Sequence, residues 1–225
     1  MDGDRHRAWA AAGRAAAGRV ESGMRVGIGT GRAAGAGIAA LAARIHDEGL
    51  RVTAVPTSTG TVALARRLEI PLGRLRGPLD LAFDGADAVA PSGALVKGAG
   101  GALVRERIVA SAAARFLVLI DGPKLVRTLD AWGTLPVAVV PFAAAHVIGE
   151  LADLDPVRRP GTSDDGLVLV DLHPPPPADW VGLATRVGGL PGVVDHGLFR
   201  SALEDVIVGR PDGSTATAAE VSFSG

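Results

Sequence analysis

Short apolar segments alternate with helical segments along the first part of the chain, and this alternation constrains the fold more than any other feature. Four apolar segments are predicted as strands, at residues 25–28, 51–55, 79–83 and 116–120. Helices are predicted at residues 5–19, 33–47 and 60–67 and around Glu106. This order predicts a parallel sheet flanked by helices, in which ligands bind beyond the carboxyl ends of the strands.

The pattern changes near residue 135, which indicates a second folding unit. Two helices and two strands are predicted there, at residues 146–151, 179–187, 167–171 and 193–199. The apolar segment 206–209 is expected to rejoin the first sheet. The small, polar tail after Pro211 is expected to fray.

The two patterns together predict two domains. The α/β catalytic domain, with a doubly wound and mostly parallel Rossmann-like sheet, is assigned to residues 1–134 and 203–225. A smaller ferredoxin-like α+β lid domain is assigned to residues 135–202. The chain has 225 residues, of which 48% are hydrophobic, so it has ample material for a buried core.

Composition narrows the classes of partner. The formal net charge is −1 and no basic block is interleaved with aromatic residues, so a nucleic-acid partner is not expected. Cysteine is absent and the five histidines show no metal-binding spacing, so a metal site is not expected. No signal peptide and no apolar run of about 18 residues is present, so a cytoplasmic location without membrane association is expected.

The candidate catalytic residues lie between positions 84 and 106. Asp84 and Asp87 bracket two small residues directly after an apolar strand, which favours a sugar site over a helix cap or turn. Glu106 shares a helical face with apolar residues, where burial would raise its pKa toward that of a general base. The alternative is a solvated Glu106 paired with a neighbouring arginine. Lys97 is one of few lysines, and its compact ammonium suits a developing oxyanion, the alternative being a surface charge.

Glycine-rich turns that lead into helices are candidate anion-binding elements, because they bring backbone N–H groups close to a ligand. The turn Gly27–Gly31 and the run Lys97–Gly101 have this character. For the first turn, a tight strand-to-helix connection is an equally good explanation. The segment Thr57–Thr61 offers hydroxyl groups, although helix capping is its favoured interpretation.

The chain resembles the ribose-5-phosphate isomerase type A family in a series of segments that cover nearly its whole length. These are VGIGTG, AVPTS, DGAD, KGAGGALVRE, the lysine after Asp121, LPVAVVPFA and LPGVVDHGLF. The resemblance implies interconversion of D-ribose 5-phosphate and D-ribulose 5-phosphate through a cis-enediolate, in the non-oxidative pentose phosphate pathway, without metal or other cofactor. It also implies a small-molecule sugar phosphate as partner and assembly as a homodimer or homotetramer.

The resemblance also implies roles for individual residues. Glu106 would be the proton acceptor, while Asp84 and Lys97 would handle hydroxyl protons and ring opening. Asp87 would hold the sugar, and Lys124 with the Thr30–Gly31 turn would contact hydroxyls or phosphate. The full set of implied substrate contacts is Thr30, Gly31, Arg32, Ala33, Ser58, Asp84, Gly85, Ala86, Asp87, Lys97, Gly98, Ala99, Gly100 and Lys124.

Four segments depart from the family pattern. Arg32 and Ala33 replace a serine and a threonine, Trp9 replaces a lysine of the first helix, Pro123 replaces a serine, and Ala99 interrupts the glycine run. Arg32 could replace the lost donors with paired hydrogen bonds, or it could signal a different substrate. The alternatives are a paralogue acting on another phosphorylated or acidic sugar, a non-catalytic sugar-phosphate sensor, and a CoA-transferase-like enzyme.

Overall fold

The computed structural model describes residues 2–223, which form six α-helices and thirteen β-strands. The helices are α1 Asp2–Ala17, α2 Arg32–Glu48, α3 Thr59–Arg67, α4 Leu103–Ala112, α5 Ala144–Glu150 and α6 Trp180–Gly188. The strands are β1 Arg25–Ile28, β2 Thr53–Pro56, β3 Leu81–Gly85, β4 Ala88–Val89, β5 Ala94–Val96, β6 Phe116–Asp121, β7 Leu135–Val139, β8 Val157–Arg158, β9 Val168–Leu172, β10 Val193–His196, β11 Leu198–Arg200, β12 Val206–Gly209 and β13 Thr215–Thr217.

A six-stranded sheet forms the centre of the larger part of the molecule. Its order is β13-β12-β6-β3-β1-β2, and all neighbours pair in parallel except β12 and β13. From β1 the chain moves to one side to form β2 and then crosses to the other side to form β3. The carboxyl ends of β1 and β3 therefore lie at a topological switch point, where ligands of doubly wound sheets bind. This order confirms the predicted doubly wound, mostly parallel α/β fold.

Helices and a small sheet cover the two faces of the central sheet. On one face, Ala12 of α1 and Leu41 of α2 belong to the same apolar cluster as Phe83. On the other face, Val109 of α4 packs with Ala82, and a three-stranded antiparallel sheet of order β11-β5-β4 covers β6 and β12. Successive side chains of a strand point to opposite faces, so Phe83 and Ala82 serve different layers. Full burial of a large apolar side chain contributes roughly 1.5–3 kcal/mol, so both layers stabilise the sheet.

A four-stranded antiparallel sheet of order β10-β7-β9-β8 forms the smaller unit. With α5 and α6 it follows the chain order β-α-β-β-α-β, which confirms the predicted ferredoxin-like arrangement. Val137 of β7 packs with Val147 of α5 and Val187 of α6. The next residue of β7, Ala138, packs on Leu103, so the opposite face of this sheet rests on the amino terminus of α4.

Two sequence predictions about the last third of the chain are wrong. The predicted strand 193–199 is two strands, because the Gly197 N–H donates to the Pro136 carbonyl at 2.7 Å and the chain then leaves the four-stranded sheet. Its second part, β11, pairs with β5 instead. Residues 215–220 of the tail are structured, because β13 pairs with β12 and a capping box links Thr217 and Glu220, whereas residues 224 and 225 lie outside the described residues.

Other element boundaries shift by a few residues. The first helix spans Asp2–Ala17 instead of 5–19, and Gly18, a poor helix former, directly follows it. The short strands β4, β5 and β8 were not predicted, since two or three residues carry too little pattern. The assignment of residues 135–202 to a separate domain stays a prediction. None of the helices within residues 2–223 combines the length and apolarity that a bilayer-crossing segment requires.

Candidate active site

The candidate active site begins where β1 and β3 end side by side. The Gly29 N–H donates to the Phe83 carbonyl at 2.9 Å, and the Thr30 N–H donates to Oδ1 of Asp84 at 3.0 Å. The Gly85 N–H donates to the same carboxylate oxygen at 2.7 Å. A Cβ atom at position 29 would collide with the Asp84 carboxyl group, so this close approach requires glycine. The two strand ends therefore hold Asp84 in one orientation.

Lys97 lies between two buried carboxylates. Its Nζ is 3.0 Å from Oδ2 of Asp84 and 3.3 Å from Oε2 of Glu106, and it donates a hydrogen bond to the Gly85 carbonyl. The side chains of Lys97 and Asp84 are 3% exposed and that of Glu106 is 5% exposed. Among residues 2–223, no group donates a hydrogen bond of normal geometry to Oδ2 of Asp84 or Oε2 of Glu106. The positive charge of Lys97 therefore offsets the negative charge of both oxygen atoms.

Burial and mutual charge set the pKa values of these three groups. Burial raises the pKa of Glu106 to about 7; the Lys97 ammonium opposes this rise and the Asp84 carboxylate adds to it. Burial also raises the pKa of Asp84, against the opposing effect of Lys97. Burial acts to lower the pKa of Lys97, but the two carboxylates outweigh it and raise that pKa. A carboxylate that ionises near neutral pH beside a persistent cation suits proton abstraction next to a carbonyl group.

The arginines on either side of Glu106 have other partners. Arg105 donates from Nη2 to Oδ1 of Asp165 at 2.6 Å, and Arg107 donates from Nε to Oδ2 of Asp195 at 2.6 Å. Glu106 itself lies in the first turn of α4 on the buried side of the helix. The solvated pairing with a neighbouring arginine is therefore wrong, and the apolar-face interpretation matches the structure.

Lys97 and Glu106 line a cleft of about 180 Å³. Most residues predicted for the site line it as well, namely Thr30, Gly31, Arg32, Ala33, Gly85, Ala86, Asp87, Gly98, Gly100 and Lys124. Asp84 contacts Lys97 without lining the cleft, and Ser58 and Ala99 line a neighbouring cavity instead. Within residues 2–223, no three or more acidic or histidine side chains are grouped so that they could hold a metal ion.

A cluster of hydroxyl groups lies beneath the turn after β1. Oγ1 of Thr30 is 2.8 Å from Oγ1 of Thr57, 2.8 Å from Oγ of Ser58 and 3.1 Å from Oγ1 of Thr61. Ser58 also accepts a hydrogen bond from the Thr61 N–H at 3.0 Å, which caps α3. Ser58 thus performs the capping function that its sequence context favoured, and the hydroxyl cluster braces the turn from inside.

The cleft also contains an anion-binding element. The 17-residue helix α2 begins there at Arg32, directly after Gly31, and no side chain caps it. The first N–H groups of a helix lack intrahelical partners and carry partial positive charge, which favours anions. Arg32 and Lys124 add two cationic side chains to the lining, and Nζ of Lys124 lies 4.9 Å from the ring centroid of Trp132.

Some residues that line the cleft were not predicted. Arg5, Trp9, Leu119, Ile120 and Asp121 belong to this group. The sequence does offer a signal for Asp121, because it is the last residue of an apolar strand, and Asp84 lies at the end of such a strand as well. Arg5 has no local signal, since its Nε donates to Oδ2 of Asp121 at 2.7 Å across 116 residues of sequence.

Comparison with known proteins gives consistent matches. A model of the family described as ribose 5-phosphate isomerase A (phosphoriboisomerase A) matches residues 53–213. The ribose-5-phosphate isomerase A of Roseiflexus castenholzii is 46% identical over 205 residues, covering 86% of this chain and 88% of that protein.

Solved structures extend the match to the whole fold. The ribose 5-phosphate isomerase A of Methanocaldococcus jannaschii has a TM-score of 0.85 at 35% identity, covering 93% of this chain and 97% of that one. A D-ribose-5-phosphate isomerase in complex with phospho-erythronic acid has a TM-score of 0.87 at 29% identity, covering 95% of this chain and 99% of that one. The fold of nearly the whole chain therefore has close structural counterparts in this family.

Proposed function

This chain belongs to the ribose 5-phosphate isomerase A family, and we propose that its cleft interconverts D-ribose 5-phosphate and D-ribulose 5-phosphate. The observation that carries this proposal is the pairing of Glu106, whose pKa burial raises to about 7, with Lys97 in the lining of an anion-attracting cleft. Isomerisation of an aldose to a ketose needs a base for one C–H proton and a cation for the oxygen that becomes charged. The phospho-erythronic acid bound by a relative is likewise a phosphorylated sugar derivative.

The chemical step is a proton transfer between neighbouring carbons. Ionised Glu106 takes the C2 proton of the open-chain aldose, and the C–H electron pair forms the C1–C2 double bond of a cis-enediolate. The C1 carbonyl oxygen gains the negative charge, which Lys97 stabilises from its position 3.3 Å from Oε2 of Glu106. A proton then moves from O2 to O1, Glu106 returns its proton to C1, and the C2–O2 bond becomes the carbonyl of the ketose.

Asp84 and Asp87 serve the hydroxyl groups of the sugar. Asp84 does not line the cleft, so it acts through Lys97, whose Nζ lies 3.0 Å from its Oδ2 and which exchanges hydroxyl protons with the sugar during ring opening and enediolate formation. Asp87 lines the cleft, and its Oδ2 accepts a hydrogen bond from the Ala99 N–H at 3.0 Å, which ties the glycine run to the sugar site. We assign the phosphate to the Thr30–Gly31 turn, the start of α2, Arg32 and Lys124.

The function is tested by incubating the protein with ribose 5-phosphate and following ribulose 5-phosphate by NMR. Formation of ribulose 5-phosphate to the equilibrium ratio supports the proposal. If ribose 5-phosphate binds without reacting while another phosphorylated or acidic sugar is isomerised, the paralogue alternative replaces it. Binding with no turnover of any sugar would identify a sensing module.

The value of kcat/KM is expected to fall as pH is lowered through about 7. Glu106 must be ionised to accept a proton, and burial raises its pKa to about 7. The substrate phosphate titrates near pH 6, so kcat is followed as well, because it reports groups of the enzyme–substrate complex. A rate that stays constant to below about pH 5 would exclude Glu106 as the base.

Replacing Arg32 with alanine is expected to raise KM for ribose 5-phosphate roughly tenfold or more, the usual scale for a lost charged hydrogen bond. We expect kcat to change little, because the contact is made equally in the ground and transition states. Steady-state kinetics on the wild type and the variant measure both constants. A kinetically silent Arg32→Ala would mean that Arg32 points to solvent.

Two further properties follow from family membership as proposals. We propose that the protein assembles as a homodimer or homotetramer and acts in the cytoplasm, in the non-oxidative pentose phosphate pathway. Light scattering coupled to size-exclusion chromatography measures the assembly directly.

A further inference from the structure

Two positions that depart from the family pattern contact each other in the cleft. The Arg32 guanidinium carbon lies 4.9 Å from the ring centroid of Trp9. The Arg5 guanidinium carbon lies 5.2 Å from the same ring. All three residues line the cleft beside the start of α2. One aromatic ring therefore supports two guanidinium groups, one from the first turns of α1 and one from α2.

Two members of this group, Trp9 and Arg5, are restrained by their surroundings. Trp9 is 5% exposed although it lies on a cleft wall, so its ring is packed and cannot swing freely. Nε of Arg5 donates to Oδ2 of Asp121 at 2.7 Å, and the Asp121 side chain is 3% exposed. Arg5 itself remains 39% exposed, so its Nη groups are not sealed in the interior. The anchor on Asp121 and the ring of Trp9 thus restrict a side chain that would otherwise sample many rotamers.

The arrangement has a physical reason. Two guanidinium groups repel each other, and each arginine loses rotamer entropy when it is ordered. Stacking on an indole face attracts each cation to the ring quadrupole, and it orders the planar groups before a ligand arrives. Nζ of Lys124 lies in the same way 4.9 Å from the ring of Trp132. Three cations of the cleft are therefore held on tryptophan rings.

The geometry points to Trp9 as a positioning residue that holds Arg5 and Arg32 as a paired clamp for the phosphate dianion of the substrate. A phosphate monoester carries a charge of about −1.5 to −2 at neutral pH and offers three acceptor oxygens. Two guanidinium groups balance that charge and supply N–H donors to those oxygens. This inference rests on the proposed function, which assigns the phosphate to this part of the cleft. Arg5 and Trp9 would then set specificity for phosphorylated over neutral sugars.

The test compares four single variants of the full chain, together with Arg32→Ala and the double variant Trp9→Leu/Arg32→Ala. Arg5→Met removes one guanidinium, Trp9→Leu removes the aromatic platform, and Trp9→Phe keeps an aromatic face. Arg7→Met is the matched control, because Arg7 lies on the same helix but pairs with Asp4 and the Pro211 carbonyl outside the cleft. For each variant, KM and kcat for ribose 5-phosphate and the inhibition constant of inorganic phosphate are measured, with acetate as the comparison anion. Thermal unfolding verifies that each variant is folded.

We expect Arg5→Met to raise KM and the phosphate inhibition constant together, roughly tenfold or more. Trp9→Leu should raise both roughly threefold to thirtyfold, with Trp9→Phe recovering most of the loss. In all variants kcat should stay within about twofold of wild type, since the phosphate contacts are made equally in the ground and transition states. Adding Arg32→Ala to Trp9→Leu should raise KM by a smaller factor than adding Arg32→Ala to the wild type does.

The inference is overturned if folded Arg5→Met and Trp9→Leu keep wild-type KM and phosphate inhibition, like Arg7→Met. It is also overturned if Trp9→Phe loses as much affinity as Trp9→Leu. The proposed function fails separately, if the wild type does not isomerise ribose 5-phosphate. In that case direct calorimetric binding of inorganic phosphate to the same variants still decides whether the clamp exists.

Discussion

Replacing Glu106 with glutamine is expected to lower kcat for ribose 5-phosphate by roughly two to four orders of magnitude, the usual scale for a lost general base. Glutamine has the shape of the protonated acid, which is already the major form of Glu106 below about pH 7. It therefore keeps the packing of α4 but cannot accept a proton. Substrate affinity should stay within a few-fold of wild type, because the phosphate contacts lie elsewhere in the cleft.

Glu48→Gln is the matched control for this variant. Glu48 carries the same side chain on α2 but is 55% exposed and pairs with Arg44 at 2.9 Å. Glu48→Gln should leave kcat, KM and the unfolding temperature unchanged. If Glu106→Gln keeps more than about a tenth of wild-type turnover, Glu106 is not the base.

Replacing Lys97 with methionine is expected to have the second-largest effect, and it should alter turnover, pH dependence and stability together. Loss of the cation that faces the developing oxyanion should lower kcat by roughly two to three orders of magnitude. Because Lys97 lowers the pKa of Glu106, the pH at which activity falls should move above about 7. Asp84 would lose the ammonium that lies 3.0 Å away, which leaves two buried carboxylates without a counterion.

The stability of Lys97→Met should depend on pH in a defined direction. Burial raises the pKa of both carboxyl groups in the folded state, so their protonated forms are favoured by folding and their ionised forms oppose it. The variant should therefore lose stability as pH rises through the folded pKa values, by about 3 kcal/mol when both groups are ionised. Chemical unfolding at low and high pH measures this. Lys124→Met is the control, and it should change KM without this pH dependence, since Lys124 rests on Trp132.

The cluster of Asp84, Lys97 and Glu106 could be expected from sequence because two of its three signals are local. Asp84 follows an apolar strand, and the carboxyl ends of parallel strands meet at one edge of the sheet. Glu106 shares a helical face with apolar residues, so its burial follows from a period of 3.6 residues. Lys97 follows a short strand that the pattern does not predict, and residue type left a surface charge open, so its place in the site rested on the family resemblance.

The remaining features depend on long-range geometry that no window of sequence contains. Arg5 meets Asp121 across 116 residues, and nothing near either residue indicates the pairing. The break at Gly197 arises because β10 pairs with β7 in one sheet whereas β11 pairs with β5 in another. The sequence does not show this change of partner, since both segments look equally strand-like. In the sequence Trp9 stands out only as a replacement of a family lysine, because the approach of two arginines to its ring becomes visible only when α1 and α2 are placed together.

The central claim is that Glu106 carries a proton between C1 and C2 of the sugar phosphate, and exchange of solvent deuterium tests it most directly. The wild type and Glu106→Gln are incubated with ribose 5-phosphate in D₂O, and deuterium at C2 of ribose 5-phosphate and C1 of ribulose 5-phosphate is followed by NMR. We expect the wild type to incorporate deuterium at both carbons as the sugars equilibrate, because the substrate proton held on the Glu106 carboxyl group exchanges with solvent while the enediolate is bound. Glu106→Gln should incorporate none on that timescale. Incorporation of deuterium by Glu106→Gln at the wild-type rate would contradict the account.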